Sequence, residues 1–417
     1  MRPRYVVILS DFITNAPIVH REVIAVITTA NSRAKPRTTP LQCQHFERHP
    51  QSAAWSNNGP HAFWIDKQAG FGQPCLAIAG NGVWDGPLFA VSPFKYYALR
   101  FQTRLVGGGY VAIFFYDASG RVLNADDWHS VDSSENWKSQ CLCFNGGNPA
   151  AVRARIRFAG NPNPMNSGTL PVYFLIRAVE VSLLHDRRAA DWADEIYAGI
   201  PKLNFTPDPG RWNRIPRTMK KLRNGEKLRI VMLGDSIVND TGNSQWGVLL
   251  KRLYPNSALE IVRSVRGSTG CSYYCERERL QEYVLDYAPD LLLIGGVSQS
   301  QNTEESIRCV IAQVKSAFPD CEFLVLTGAV NSDGYNPFTQ KNWKPEIDLN
   351  ENCVRASTCR AAFAEDVEFL DLAGVWGTYI LSAGQPYTWF QRDPVHANVR
   401  GKQVLGRILE AYFSPKP

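Results

Sequence analysis

No stretch of this 417-residue chain approaches the ~20 consecutive apolar residues of a membrane-spanning helix. The apolar run Tyr5-Val6-Val7-Ile8-Leu9, behind Arg2 and Arg4, is shorter than a usual signal-peptide core and meets Asp11. Runs of one charge are missing too. The net charge of +6 is spread along the chain, with no basic run longer than Arg187-Arg188 or Lys220-Lys221. Neither nucleic acid nor a membrane surface is therefore expected as a partner. Ten cysteines include no pair of Cys-x-x-Cys units, which argues against zinc. Cys271/Cys275 and Cys353/Cys359 are close enough for bridges in an oxidising compartment, but buried free thiols are the simpler expectation. Histidine is scarce in the second half. Six of the seven (His20, His45, His49, His61, His129 and His185) precede residue 200 without metal-ligand spacing and read as surface or loop residues. No metal and no cofactor is expected from these patterns.

The length is too great for one typical core and suggests two domains. Residues 1–40 end in Arg33-Ala34-Lys35-Pro36-Arg37 and are expected to be poorly ordered. Residues 41–184 carry strand patterns and turns with almost no helical periodicity. Tyr110–Tyr116 is rich in β-forming residues and ends at Asp117-Ala118-Ser119-Gly120. Val152, Ala154, Ile156 and Phe158 alternate with Arg153, Arg155 and Arg157, as in a half-exposed strand. With 96–105 and 172–184 these runs predict an antiparallel sandwich.

Phe46-Glu47, the run Pro93–Phe101, Phe115–Gly120, Trp137 and Ala154–Phe158 occur in an order that resembles the galactose-binding-like jelly rolls used as carbohydrate-binding modules. The resemblance implies sugar-stacking aromatics, for which Trp55, Trp64, Trp84 and Trp128 in or near loops are candidates, with core packing as the alternative. It also implies a possible structural calcium, with Glu47 and Glu180 as candidate ligands. A helical linker at 185–227 follows, with a helix from Asp186 to Ile200 and a short basic one from Thr218 to Leu222 before Asn224-Gly225.

From residue 228 to 417 strand-like and helix-like stretches alternate. Strands are predicted at 228–234, 259–264, 290–294, 322–328 and 367–371, and helices at 245–254, 276–287, 304–317, 350–364 and 400–412. Such alternation predicts a doubly wound α/β/α three-layer domain on a parallel sheet. The first strand stops at Gly234, and Ser236 then stands at the mouth of the turn, where open α/β sheets bind ligands. A serine hydroxyl attacks well only when a base takes its proton. His396 is the one histidine beyond residue 185, and Asp393 on the same loop can fix its tautomer. No G-x-G-x-x-G or Walker pattern follows the first strand, which argues against a nucleotide site.

Gly234-Asp235-Ser236 and Asp393-Pro394-Val395-His396 resemble the first and last motif blocks of the SGNH (GDSL-type) hydrolases, across essentially all of 228–417. The resemblance implies a flavodoxin-like fold, a Ser236–His396–Asp393 triad, and an oxyanion hole. The hole would be made by the backbone N–H groups of Ser236 and of Gly267 (or Gly270) with an asparagine side chain. In the asparagine block this chain has Gly295-Gly296-Val297-Ser298-Gln299, so Ser298 or Gln299 would serve instead. Asp235, Asn239 and Trp389 are candidate substrate-binding residues, although Asp235 also suits holding the turn and Asn239 and Asp240 also read as solvated loop residues.

The expected function is a serine esterase removing acyl groups, acetyl above all, from a carbohydrate. A general SGNH esterase or lipase with a merely structural sandwich and a non-catalytic glycan-binding protein are the alternatives. The inferred substrate favours a periplasmic or secreted location.

Overall fold

The computed structural model describes residues 41–415 apart from 59, 67–72, 161–169, 297–300, 332–335 and 340–342. Segment 1–40, Ser298 and Gln299 lie outside the described residues. The described residues belong to one compact unit. It is a mixed α/β structure, with antiparallel sheets in its N-terminal part and a parallel sheet in its C-terminal part.

Two antiparallel sheets enclose one core. The first runs in the order Ser134–Asn145, Tyr96–Val106, Tyr173–Leu184, Cys75–Ile78, Ala62–Ile65, with Gln42–Gln44 also paired to Tyr173–Leu184. The second runs Ser56–Asn58, Val83–Asp85, Arg153–Ala159, Gly109–Tyr116, Asp127–Val131, with Phe89–Ala90 beside Arg153–Ala159. Inward residues of both meet in a cluster that includes Leu99, Phe101, Val111, Phe115, Ile156, Phe158 and Phe174. Ala154, Ile156 and Phe158 point inward while the arginines between them are half-buried, as the alternation predicts. Trp55 and Trp84 are each only 1% exposed and belong to this core. Trp64, Trp84 and Trp128 stand on strands, not in loops.

The parallel sheet runs Ala258–Val265, Lys227–Gly234, Leu291–Ile294, Glu322–Leu326, Glu368–Leu370. Numbered along the chain this is the order 2-1-3-4-5 found in flavodoxin-like sheets. Its strands are apolar on both faces because helices cover both. Leu228, Ile230 and Met232 join a core with the helices Leu372–Ser382 and Val399–Phe413. Val231 and Leu233 join another with Glu304–Ala317 and Arg277–Tyr283. All five predicted strands are present, as are helices at each predicted helical stretch. The helix Leu372–Ser382 was not expected. Seven of its eleven residues are buried, so no polar face marks the 3.6-residue period.

A polar seam joins the antiparallel and parallel parts. Lys402, 1% exposed on the last helix, donates from Nζ to Asp127 Oδ1 at 2.6 Å and to the Trp128 carbonyl at 2.8 Å. Arg263, on the edge strand of the parallel sheet, donates to Asn145 Oδ1 (2.7 Å) and to the carbonyls of Asn145 (2.8 Å) and Ala125 (3.0 Å). His129 corrects the expectation that every early histidine is a surface or loop residue, since it is buried on the strand Asp127–Val131. It is 1% exposed, with Nε2 3.0 Å from Asp127 Oδ2 in a close contact that lacks hydrogen-bond alignment. The reason is that its strand turns Asp127 and His129 inward, toward Lys402.

Glu180 is turned to Arg100 at 3.5 Å, and among the described residues no three His, Cys, Asp or Glu side chains gather as a metal site. Cys271, Cys275, Cys353 and Cys359 are thiols. No helix among the described residues is long and apolar enough to cross a membrane.

Removing one partner of a buried ion pair leaves a charge without water or counterion. Lys402→Met should therefore lower the unfolding free energy by about 3–5 kcal/mol in denaturant titrations; a loss below about 1 kcal/mol would mean that the seam is solvated.

Acid should act on the same seam. Burial pushes the Asp127 carboxyl up, but facing His129 and Lys402 outweigh it and hold it well below the ordinary carboxylate range. Burial lowers the His129 imidazole, with Asp127 opposing only in part. Both groups bind protons more weakly folded than unfolded. Stability is then complete above the ordinary histidine value of 6.5, falls as pH drops below it, and falls again below the ordinary aspartate value of 3.8. Thermal midpoints recorded across that range should decline; a rise on acidification from 6.5 would show that folded His129 gains affinity for a proton.

Candidate active site

The turn after Lys227–Gly234 is built around two glycines. Gly234 has φ +157°, and a Cβ there would come within 2.4 Å of the Gly295 carbonyl oxygen. Gly296 has φ +130°, and a Cβ there would press on the Asp235 carboxylate at 2.8 Å. The ends of the first and third parallel strands can therefore close on each other, at the point where the strand order reverses. Asp235 caps the helix Ser236–Gly242, accepting from the Ile237 N–H at 2.9 Å. It is 1% exposed and does not line the cleft described below.

The last loop delivers its side chains by a different device. Gln391 and Ala397 form an isolated bridge, so residues 391–397 make a closed turn. Asp393 Oδ1 accepts from the Val395 and His396 N–H groups at 2.9 and 3.0 Å. Arg392 reaches back with Nη1 to both oxygens of Asp240 (2.8 Å each) and to the Ala397 carbonyl at 2.7 Å. Asp240 in turn accepts from the Ala397 N–H at 3.0 Å. Asp240 lies on the helix that begins with Ser236, so the same helix holds both Ser236 and the loop that carries His396.

These constraints bring a hydroxyl, an imidazole and a carboxylate into series. His396 Nε2 lies 2.8 Å from Ser236 Oγ, and His396 Nδ1 lies 2.8 and 2.9 Å from the two oxygens of Asp393. Burial alone would raise the Asp393 carboxyl. The hydrogen bond and charge of His396, with Arg392 alongside, outweigh burial and hold it below the ordinary carboxylate value. An ionised carboxylate accepting from Nδ1–H leaves Nε2 to take the serine proton.

Ser236, Asp393 and His396 open into a cleft of about 330 Å³ that Gly267, Asn239 and Arg392 also line. A Cβ on Gly267 would meet nothing within 4 Å, so its backbone faces open space. A Cβ on Gly270, the alternative to it, would strike the side chain of Asn302. Asn239 commits its amide to the Asp126 carbonyl at 2.7 Å. Trp389 is not part of the lining; it packs on Phe390 (4.9 Å between centroids) and under Arg400 (4.7 Å).

The opposite wall comes from the antiparallel part, through Phe114, Val122, Leu123, Asn124, Asp126 and Trp128. Of these the sequence had suggested Trp128 alone. Asp240, expected as a solvated loop residue, is instead 1% exposed on the helix Ser236–Gly242, where it pairs with Arg392, which no sequence motif had marked. A larger hollow of about 610 Å³ beside the strand Glu368–Leu370 contains none of the series Ser236, His396, Asp393. We assign the chemistry to the smaller cleft because reactive groups, not volume, define a site.

No family model and no curated protein matches this chain. Solved structures do. A two-domain esterase active on acetylated mannans is 15% identical, over 50% of this chain and 57% of its own, with a TM-score of 0.39. Axe2, an acetylxylan esterase from Geobacillus stearothermophilus, is 14% identical over 45% of this chain and 95% of its own (TM-score 0.36). A family 16 carbohydrate-binding module is 12% identical over 30% of this chain and 86% of its own (TM-score 0.22). This chain thus spans less than two thirds of the mannan esterase. These are the kinds of protein that the sequence resemblance names.

A serine so placed should be reactive. A fluorophosphonate probe is expected to label Ser236, and His396→Ala should slow labelling by about 10³-fold or more. Unchanged labelling in His396→Ala would show that the imidazole does not activate the hydroxyl.

Proposed function

We propose that the protein is a serine esterase of SGNH architecture that removes acyl groups, acetyl foremost, from a carbohydrate. The observation that carries the reading is the series Ser236–His396–Asp393, hydrogen-bonded at 2.8–2.9 Å and open to a cleft. In this reading 41–184 is a carbohydrate-binding-like jelly roll, 185–227 a helical linker and 228–417 the hydrolase domain.

Ser236 Oγ attacks the acyl carbonyl while His396 Nε2 takes its proton. Asp393 keeps Nδ1–H directed at itself and stabilises the imidazolium. The tetrahedral oxyanion is held by the backbone N–H groups of Ser236 and Gly267 and by the side chain of Ser298 or Gln299. Collapse breaks the bond to the sugar oxygen, which leaves with the proton from His396. Water, deprotonated by the same imidazole, then releases the carboxylic acid and restores the serine.

The deciding measurement is acetate release from acetylated glycans beside p-nitrophenyl esters of short and long acyl chains. Ser236→Ala should lower kcat by about 10⁴–10⁶, and Asp393→Asn by about 10⁴. Equal turnover by wild type and Ser236→Ala would remove the nucleophile assignment, and preference for long acyl chains would favour a lipase. Of Ser298→Ala and Gln299→Ala, the one that removes the oxyanion donor should cost about 10²–10³ in kcat while leaving KM little changed.

A further inference from the structure

The strip Ala125–Trp128 ties the antiparallel part to the parallel part. Each residue in it is gripped by a donor from the parallel part. The Ala125 carbonyl accepts from Arg263 at 3.0 Å, and the Asp126 carbonyl from the amides of Asn239 and Asn243 at 2.7 and 3.0 Å. Lys402 takes the Asp127 carboxylate at 2.6 Å and the Trp128 carbonyl at 2.8 Å. All four donors are buried. Two of them, Asn239 and Asn243, belong to the helix that starts with Ser236 or cap its end. The strip and the nucleophilic hydroxyl are thus fixed to one frame.

What this grip positions is a pair of side chains in the cleft, Trp128 and Asp126. Trp128 Nε1 donates to Asp126 Oδ2 at 2.7 Å, so the indole cannot swing freely. Asn239 reaches the other carboxylate oxygen at 3.2 Å. Phe114, also in the lining, stands perpendicular to Trp128 with ring centroids 5.7 Å apart. A carboxylate oxygen accepts more than one donor, so Asp126 keeps acceptor capacity beyond these bonds. A flat apolar ring beside an oriented carboxylate suits a pyranose, whose C–H face can cover the ring while its hydroxyls donate to the oxygens.

Resting on the esterase reading above, we propose that Trp128, Asp126 and Phe114 form the subsite for the sugar ring that bears the ester. The sandwich then supplies one wall of the active site. Specificity for an O-acylated sugar over a simple ester resides in this wall.

The readout is the ratio of kcat/KM on an acetylated xylo-oligosaccharide to kcat/KM on p-nitrophenyl acetate, which carries no sugar. Trp128→Ala and Asp126→Asn should each lower that ratio by about 10- to 100-fold. Trp128→Phe, which keeps an apolar ring, should recover most of it and serves where the alanine variant unfolds. In a Ser236→Ala background, calorimetric binding of the unacetylated oligosaccharide should weaken by a similar factor on adding Trp128→Ala. A ratio that stays within about twofold in folded variants overturns the subsite. That result would leave the esterase reading intact as long as Ser236→Ala abolishes turnover of both esters. Activity retained by Ser236→Ala would overturn the esterase reading instead.

Discussion

An ammonium group almost without access to water sits where the antiparallel and parallel parts meet, and its neighbours must stay where they are. Lys402 Nζ has Asp127 at 2.6 Å on one side and Asp240 at 3.7 Å on the other. Asp240 also carries Arg392, and Arg392 Nε lies 3.6 Å from Asp393. The charges alternate in sign from the antiparallel sheet to the loop that holds His396. Each ion is too deeply buried to be solvated alone, so each depends on its partner for compensation. The loop 391–397 has no regular secondary structure to hold it beyond one bridge, yet it is pinned at Arg392, Asp393 and Ala397.

This arrangement also explains why the candidate site is precise although its parts come from distant stretches of chain. Ser236 and His396 are 160 residues apart and meet at 2.8 Å. One comes from the end of a central parallel strand, where backbone pairing on both sides limits movement. The other comes from the turn before the last helix, whose start Asn398 caps by accepting from the Arg400 and Gly401 N–H groups. Rigid elements set the positions, and the short loops between them only aim the side chains.

Much of this was legible in the residues. Runs such as Leu291-Leu292-Leu293-Ile294 are apolar at every position, as strands covered on both faces must be. Ser236, Asp393 and His396 were legible because strand ends and helix starts concentrate chemistry in such folds. The seam was not legible, because Asp127, His129, Arg263 and Lys402 belong to no motif that marks them as partners, whereas Ser236 and His396 each stand in a recognisable block. Strand Asp127–Val131 shows the difficulty most plainly. There the polar Asp127 and His129 point inward and the aromatic Trp128 faces the cleft, the reverse of the usual alternation. The inversion makes sense only once Lys402 is placed opposite. The helix Leu372–Ser382 escaped notice for the opposite reason, since it has too few polar residues to show a face.

The hold on Ala125–Trp128 constrains how such a protein can change over evolutionary time. A shuffling event that replaced the sandwich with an unrelated partner would leave Arg263, Asn243 and Lys402 facing a surface without the acceptors that match them. An exchanged sandwich would therefore have to bring matching acceptors to these buried donors, or leave them unpaired at a cost of about 1–3 kcal/mol each.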